Sequence, residues 1–213
     1  MTRAVLRNLS GVLGALLLVV QFAANAQDIA AGERKYGICA SCHGIEGRSV
    51  KIHYPILAGQ DARYLFEQLN DFKQGRRHDP SMDTVIEWLD VPDMLDLAAF
   101  FASRKSPLGS RLRRAGTRAA PATAACTACH SGGAQSGKDT PRILGQHRDY
   151  LVKQLRDFRD GRRTNGSGAM QRATHDMSDD DIEQATAYFT GHRETPARQG
   201  FAVGGTGRSI ARN

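Results

Sequence analysis

Apolar residues recur at helical spacing between residues 61 and 74. Leu65, Leu69 and Phe72 stand at positions i, i+4 and i+7, which places them on one face of a helix. Gly75 follows this stretch, and a glycine just past the last apolar position is typical of a helix C-terminus. The pattern therefore predicts an amphipathic helix over residues 61–74 that packs one face against a core.

Two further helices are predicted on either side of this one. Residues 28–36 favour helix and run directly into Cys39. A later helix begins near Asp90, because Asp90 and Asp93 have the spacing of a capping box. Residues 76–82 are predicted to be a loop. The apolar face of the last helix includes Met94, Leu97, Ala98 and Phe101.

The second half of the chain repeats the order of the first. Residues 141–146 match residues 55–60 at an offset of 86, and beyond a two-residue insertion Met170 matches Met82 at an offset of 88. Other pairs at the offset of 86 are Tyr150 with Tyr64, Gln154 with Gln68, Phe158 with Phe72 and Gly161 with Gly75. The repeat predicts an all-α chain made of two related domains.

The N-terminus has the features of an export signal. Arg3 and Arg7 precede an apolar run over residues 9–20, and residues 24–26 form an A-x-A cleavage site. The alternative is a retained membrane anchor, but the run is shorter than the roughly 20 residues that span a bilayer. We expect cleavage before Gln27 and an exported mature chain.

The charge is basic and partly concentrated in one segment. The formal net charge of +7 becomes +5 without the signal, because Arg3 and Arg7 leave with it. Residues 103–125 contain arginine and lysine but no acidic residue. This segment is either a solvated linker or a docking strip for an acidic partner or an anionic membrane surface. Export argues against nucleic acid as a partner.

The sequence C-x-x-C-H occurs twice and uses all four cysteines. It is the attachment signature of c-type haem, in which two thiols bind the porphyrin and the histidine ligates the iron. A zinc site would need four matched ligands, and a thioredoxin-like redox pair would need a βαβ context. We therefore predict two covalently bound haem c groups, each with its iron. The residues are Cys39, Cys42 and His43 in the first half, and Cys126, Cys129 and His130 in the second.

The second axial ligand decides between electron transfer and catalysis. Met82 and Met170 occupy matching loop positions in the two halves, so we predict that they are the axial iron ligands opposite His43 and His130. The other methionines, Met94 and Met177, match aliphatic residues in the opposite half and are predicted to fill the core. The histidines without a counterpart are predicted to lie on the surface or in loops: His53, His78, His147, His175 and His192.

Several repeated residues are candidates for support of the haem. The backbone carbonyl of Pro55 or Pro141 either accepts a hydrogen bond from the axial histidine or belongs to a turn that only positions the next helix. Tyr64 and Tyr150 either bind a haem propionate or cap the core. The repeated arginines either neutralise propionates or form exposed basic loops, and they are Arg76, Arg77, Arg162 and Arg163.

With these motifs in order, the chain resembles the dihaem cytochromes c4 over nearly all of residues 28–192. The resemblance implies two tandem cytochrome c-like domains of class I, joined by a linker, with haem edges and propionates facing each other. It also implies a periplasmic, often membrane-associated carrier of electrons between redox protein partners, with a membrane terminal oxidase expected among them. Two alternatives are a dihaem peroxidase-like enzyme and a fixed subunit of a membrane dehydrogenase or oxidase. The predicted boundaries are residues 1–26 for the signal, 27–104 for domain one, 105–118 for the basic linker, 119–194 for domain two and 195–213 for a flexible tail.

The size of each predicted domain bears on its stability without haem. The remaining 187 residues give about 90 per domain, which is small for an independent hydrophobic core. We expect each half to be unfolded or molten without its haem.

Overall fold

The computed structural model describes residues 27–107, 121–130 and 140–191. Within these residues the chain is helical and contains no strand, and no helix is long and apolar enough to cross a membrane. The predicted signal, most of the linker and the tail lie outside the described residues. The helices are α1 (Ile29–Lys35), α2 (Gly37–His43), α3 (Ala62–Lys73), α4 (Pro80–Ile86), α5 (Val91–Ser103), α6 (Pro121–His130), α7 (Arg148–Arg159), α8 (Ala169–Thr174) and α9 (Asp179–Thr190).

The first half is built on the crossing of α1 and α5. The Asp28 side chain caps α1 by accepting from the backbone N–H of Ala30 at 2.8 Å. Gly32 lies at the crossing, where an added Cβ would stand 2.2 Å from the Asp96 carbonyl oxygen. A residue without a side chain therefore allows the two helices to approach this closely.

The core of the first half joins α3 to α5. Leu65 and Phe72, two members of the predicted apolar stripe, are buried there. The face of α5 predicted to be apolar is also buried, and it includes Met94, Leu97, Ala98 and Phe101. The predicted helix and its inward face are thus confirmed, with Asp61 capping α3 from just outside it.

The second half uses the same contacts at equivalent positions. The N–H of Gly59 donates to the Phe101 carbonyl at 2.7 Å, and the N–H of Gly145 donates to the Phe189 carbonyl at 2.6 Å. Both glycines have positive φ angles, which lets the turn bend back onto the last helix of its half. The predicted capping box at Asp90–Asp93 is present, and Ser178 and Asp181 form the equivalent box in the second half.

The predicted loop over residues 76–82 is wrong at its C-terminal end. The Asp79 side chain accepts from the N–H of Ser81 at 3.2 Å, and Pro80 occupies the first turn, so a short helix starts at Pro80. Met82 therefore lies in the first turn of α4 and not in a loop. Met170 lies in the first turn of α8 in the same way.

Candidate functional site

A large cavity lies between the two halves. Its volume is about 1920 Å³, whereas a pocket for one small molecule commonly measures about 300–1,000 Å³. The cavity is therefore large enough for two bulky cofactors. All eight predicted attachment and ligand residues line it: Cys39, Cys42, His43, Met82, Cys126, Cys129, His130 and Met170.

The paired thiols lie on the last turns of short helices. Helix α2 carries Cys39 and Cys42 and ends at His43, and α6 carries the second motif to its own end at His130. Burial raises the pKa of the Cys39 thiol to about 11, and the Cys42 thiol adds a smaller effect in the same direction. Burial also raises the pKa of Cys126. Both shifts favour the protonated thiol over the thiolate.

The two motif histidines are oriented by the same hydrogen bond. His43 Nδ1 lies 2.9 Å from the Pro55 carbonyl oxygen, and His130 Nδ1 lies 2.9 Å from the Pro141 carbonyl oxygen. Burial lowers the pKa of each imidazole, although the bond to the carbonyl opposes this shift. Each ring is thus neutral at pH 7, donates through Nδ1 and keeps the lone pair on Nε2 for a metal. The first of the two roles considered for Pro55 and Pro141 is the one observed.

Of the four methionines that the structure describes, three line the cavity and one does not. Met82 and Met170 line it from α4 and α8, and Met82 also packs against the first-half core. Met94 is fully buried in that core, as predicted. Met177 lines the cavity at the position that Leu89 occupies in the first half. Because its counterpart Leu89 is aliphatic, a packing role for Met177 is consistent with the repeat. Since Met177 also lines the cavity, its sulfur must be tested beside that of Met170 as a ligand of the iron in the second half.

A polar network of equivalent residues joins the two halves beside the cavity. Arg77 donates to Tyr150 at 3.2 Å, and Arg163 donates to Tyr64 at 3.4 Å. Each guanidinium also stacks on a phenylalanine of its own half, Arg77 on Phe72 and Arg163 on Phe158, at 4.6 and 4.4 Å from the ring centres. Burial raises the pKa of Tyr150, but the two guanidinium charges outweigh it and lower that pKa.

The four repeated arginines therefore do not share one role. Arg77 and Arg163 are buried and line the cavity. Arg76 and Arg162 are about half exposed, and each holds an aspartate of its own half at 2.8 Å. The exposed-loop interpretation is thus right for one pair and wrong for the other, because α3 and α7 bring Gln68 and Gln154 within reach of the buried guanidinium groups.

The buried arginines test whether the cavity suits haem. Among the described residues, their hydrogen-bond partners are neutral oxygens of glutamine, asparagine or tyrosine, and the Asp79 carboxylate acts on Arg77 without a hydrogen bond to it. A buried cation with only neutral partners is costly unless an anion lies nearby. Haem brings two propionate carboxylates, and Arg77 and Arg163 are the residues that would neutralise them. Paired thiols, oriented imidazoles and cationic walls together fit haem.

His147 lies in the loop that precedes α7, within the prediction of a surface or loop histidine, but it is not on the surface. His147 is buried, and its Nε2 donates to the Ser49 carbonyl of the other half at 2.9 Å. His147 precedes α7 as Asp61 precedes α3, but Asp61 is exposed, whereas His147 is covered by its contact with the other half. The described histidines that are exposed are His53, His78 and His175, whereas His192 lies outside the described residues.

Comparison with known proteins agrees with this architecture. The family model for cytochrome c matches residues 29–105, and the model for subunit III of cbb3-type cytochrome c oxidase matches residues 114–189. Cytochrome c4 of Pseudomonas aeruginosa is 39% identical over 78% of this chain and 89% of its own length. The thiosulfate dehydrogenase electron acceptor of Stutzerimonas stutzeri is 33% identical over 88% of this chain and 96% of its own length.

A solved structure shows the same fold. Reduced recombinant cytochrome c4 from Pseudomonas stutzeri has a TM-score of 0.66 and 31% identity, over 78% of this chain and 99% of that one. The resemblance noted in the sequence is confirmed by these identities and by the shared fold. The chain belongs to the cytochrome c4 family, and it is a dihaem electron-transfer cytochrome whose two C-x-x-C-H segments bind haem c covalently.

Proposed function

We propose that both irons are six-coordinate, with His43 and Met82 as axial ligands in the first half and His130 and Met170 in the second. Haem supplies a one-electron ferrous/ferric couple, and a methionine ligand raises its potential and fills the position that a substrate would need. Helices α2 and α6 hold the histidines, and α4 and α8 hold the methionines. The role of the chain is then to keep both sites closed while electrons pass.

The observation that carries this proposal is the equivalence of the two sites. Each motif histidine makes the same 2.9 Å bond through Nδ1, and each half contributes a cavity-lining methionine from the first turn of a short helix. A dihaem peroxidase-like enzyme would need one open or bis-histidine iron, and so would favour unlike sites. The equivalence therefore supports an electron carrier over an enzyme.

Substitution of the methionines tests the ligands. Met82→Ala and Met170→Ala should each remove the absorption feature of a methionine–iron(III) bond, lower the potential of one haem and open it to added cyanide. Met94→Leu and Met177→Leu are the matched controls and should leave both potentials nearly unchanged. A shift in Met177→Leu together with none in Met170→Ala would assign Met177 as the ligand.

We propose that the protein acts outside the cytoplasm, in the periplasm, with association to the membrane surface. The signal-like N-terminus and the basic residues between the halves support this location.

The proposed partners are redox proteins, with a terminal oxidase as electron acceptor. A candidate electron donor is a thiosulfate dehydrogenase, because the relative from Stutzerimonas stutzeri is named as the electron acceptor of such an enzyme.

Stopped-flow kinetics separates these roles. The oxidised protein is mixed with thiosulfate dehydrogenase and thiosulfate, and the reduced protein is mixed with oxidase-containing membranes. Fast reduction in the first mixture supports the thiosulfate route, and fast oxidation in the second supports the oxidase route. Turnover of hydrogen peroxide by the purified protein would instead favour a peroxidase-like enzyme, and co-purification with a membrane complex at moderate salt would favour a fixed subunit.

A further inference from the structure

Two buried glutamines cross between the halves and bind backbone at equivalent positions. Gln146 Oε1 accepts from the Ile56 N–H at 2.9 Å, and Gln146 Nε2 donates to the Ile56 carbonyl at 3.0 Å. Gln60 Oε1 accepts from the Arg142 N–H at 3.0 Å, and Gln60 Nε2 donates to the Arg142 carbonyl at 2.9 Å. Each amide thus fills both hydrogen-bonding groups of one residue in the other half.

The residues bound in this way adjoin the carbonyls that orient the histidines. The Ile56 N–H belongs to the same peptide group as the Pro55 carbonyl, which accepts from His43 Nδ1 at 2.9 Å. A continuous chain of hydrogen bonds therefore runs from His43 through that peptide to Gln146.

The second half has the mirror arrangement. The Arg142 N–H shares a peptide group with the Pro141 carbonyl, which accepts from His130 Nδ1 at 2.9 Å. A second chain thus runs from His130 through that peptide to Gln60. Each histidine ends its chain on a glutamine of the opposite half.

Hydrogen bonds in such a chain strengthen one another. An acceptor on the N–H of a peptide group polarises it and makes its carbonyl oxygen a better acceptor, by roughly 10–30% per bond. A stronger bond at Nδ1 gives the imidazole more anionic character and makes Nε2 a better donor to iron. Stronger donation stabilises the ferric state and lowers the haem potential.

We propose that Gln146 positions and tunes the axial histidine of the first half, His43, and that Gln60 does the same for His130 of the second half. The proposal rests on the axial roles proposed above for the two histidines. It makes the domain boundary part of both iron sites, because each half supplies the last hydrogen-bond acceptor for the other half's ligand. Separation of the halves would change both potentials even with every iron ligand in place.

The alternative is a clamp that only holds the halves together, and its consequences differ. Loss of a clamp would loosen both sites or mainly disturb the half that carries the substitution. Loss of a glutamine oxygen that accepts a hydrogen bond from the opposite half changes the potential of the haem in that opposite half. The location of the effect therefore distinguishes the two.

The test uses Gln146→Leu and Gln60→Leu in the full dihaem protein. Each haem potential is measured by spectroelectrochemistry, and the Nδ1–H proton of each axial histidine is followed by NMR in the reduced protein, with assignment from contacts to Pro55 or Pro141. Gln146→Leu should raise the potential of the haem attached at Cys39 and Cys42 and weaken the His43 Nδ1–H bond, while the other haem shifts much less. Gln60→Leu should give the reverse pattern.

Two further variants keep the test decisive. Gln146→Glu retains an oxygen for the Ile56 N–H in either protonation state, so the first-half potential should not rise, and this variant serves if the leucine variant does not fold. His147→Leu removes another buried bond between the halves, at Ser49, without touching the Pro55–Ile56 peptide. The same upward shift in His147→Leu, an upward shift in Gln146→Glu, or an effect confined to the mutated half would overturn the proposal.

The wild-type spectrum separates failure of this proposal from failure of the ligand assignment. If His43 or His130 is not an axial ligand, its ring signals will lack the large shifts caused by a bound haem, before any glutamine is replaced. If the histidines are ligands but the glutamines of the opposite half do not tune them, those shifts will be present and will not change in the glutamine variants.

Discussion

The guanidinium groups of Arg77 and Arg163 share the same two glutamine side chains, one from each half. Arg77 donates to Gln68 at 2.9 Å and to Gln154 at 3.1 Å. Arg163 donates to the same two oxygens at 2.7 and 2.6 Å. Two like charges are therefore held together in the wall of the cavity that fits both haem groups, so they should act on both irons.

Replacement of Arg77 by glutamine should lower the potentials of both haem groups. A buried positive charge favours the ferrous state, and its loss should change the free energy of reduction by about 1 kcal/mol at an effective dielectric constant of about 20. Arg76→Gln is the control, because that side chain is half exposed and pairs with Asp71. A redox titration that gives equal shifts for the two variants would argue against an interior charge effect.

Loss of haem attachment in one half should disturb the other half as well. The cavity is shared and has a volume of about 1920 Å³, so removal of one cofactor exposes apolar walls and takes two carboxylates away from the buried guanidinium groups. Cys39→Ala/Cys42→Ala should keep far-UV circular dichroism but lose near-UV signal and bind a hydrophobic dye, as a molten state does. The Cys126→Ala/Cys129→Ala variant should behave alike. A native near-UV spectrum in either variant would show that each half folds alone.

Addition of a methyl group should change stability in opposite directions at two helical glycines, Gly32 and Gly37. Gly32→Ala places its Cβ against the Asp96 carbonyl and the Phe100 side chain, so α1 must move away from α5. Overpacking of this kind costs about 1–3 kcal/mol. Gly37→Ala has nothing within 4 Å of its Cβ, so the better helix propensity of alanine should stabilise α2 by up to about 1 kcal/mol. Denaturant unfolding of the two holo-proteins measures the difference.

Sequence patterns predicted the features that the two halves share, but they did not predict the contacts between the halves. The repeat pairs Pro55 with Pro141, and the hydrogen bond that the structure shows is one of the two roles the sequence left open for their carbonyls, because histidine and carbonyl belong to one short segment. The burial of His147 had no local signal, since its partner Ser49 lies 98 residues away. The short helix at Met82 was missed because Asp79 and Pro80 were not recognised as its start. An N-cap residue followed by proline was the signal available for it.

The pH dependence of stability should report on Asp157, which lies in α7. Burial alone would raise the pKa of this carboxyl, but the bonds from Lys153 at 2.7 Å and Arg162 at 2.8 Å outweigh it and lower that pKa. The folded pKa thus lies below the ordinary value of about 3.9, and the unfolded chain takes up the proton first as the pH falls. Stability from these bonds is complete above about pH 4 and is lost as the pH falls through the folded pKa.

Asp157→Asn should therefore lower the free energy of unfolding by about 1 kcal/mol at pH 7, since both cationic partners are half exposed and screened by solvent. The difference from wild type should shrink between about pH 4 and pH 3 in guanidinium unfolding curves. Asp176→Asn removes the same charge from a side chain that is 95% exposed, and it should change stability by less than about 0.5 kcal/mol. A deficit in Asp157→Asn that stays constant down to pH 3 would mean that the carboxyl acts through its shape and not through its charge.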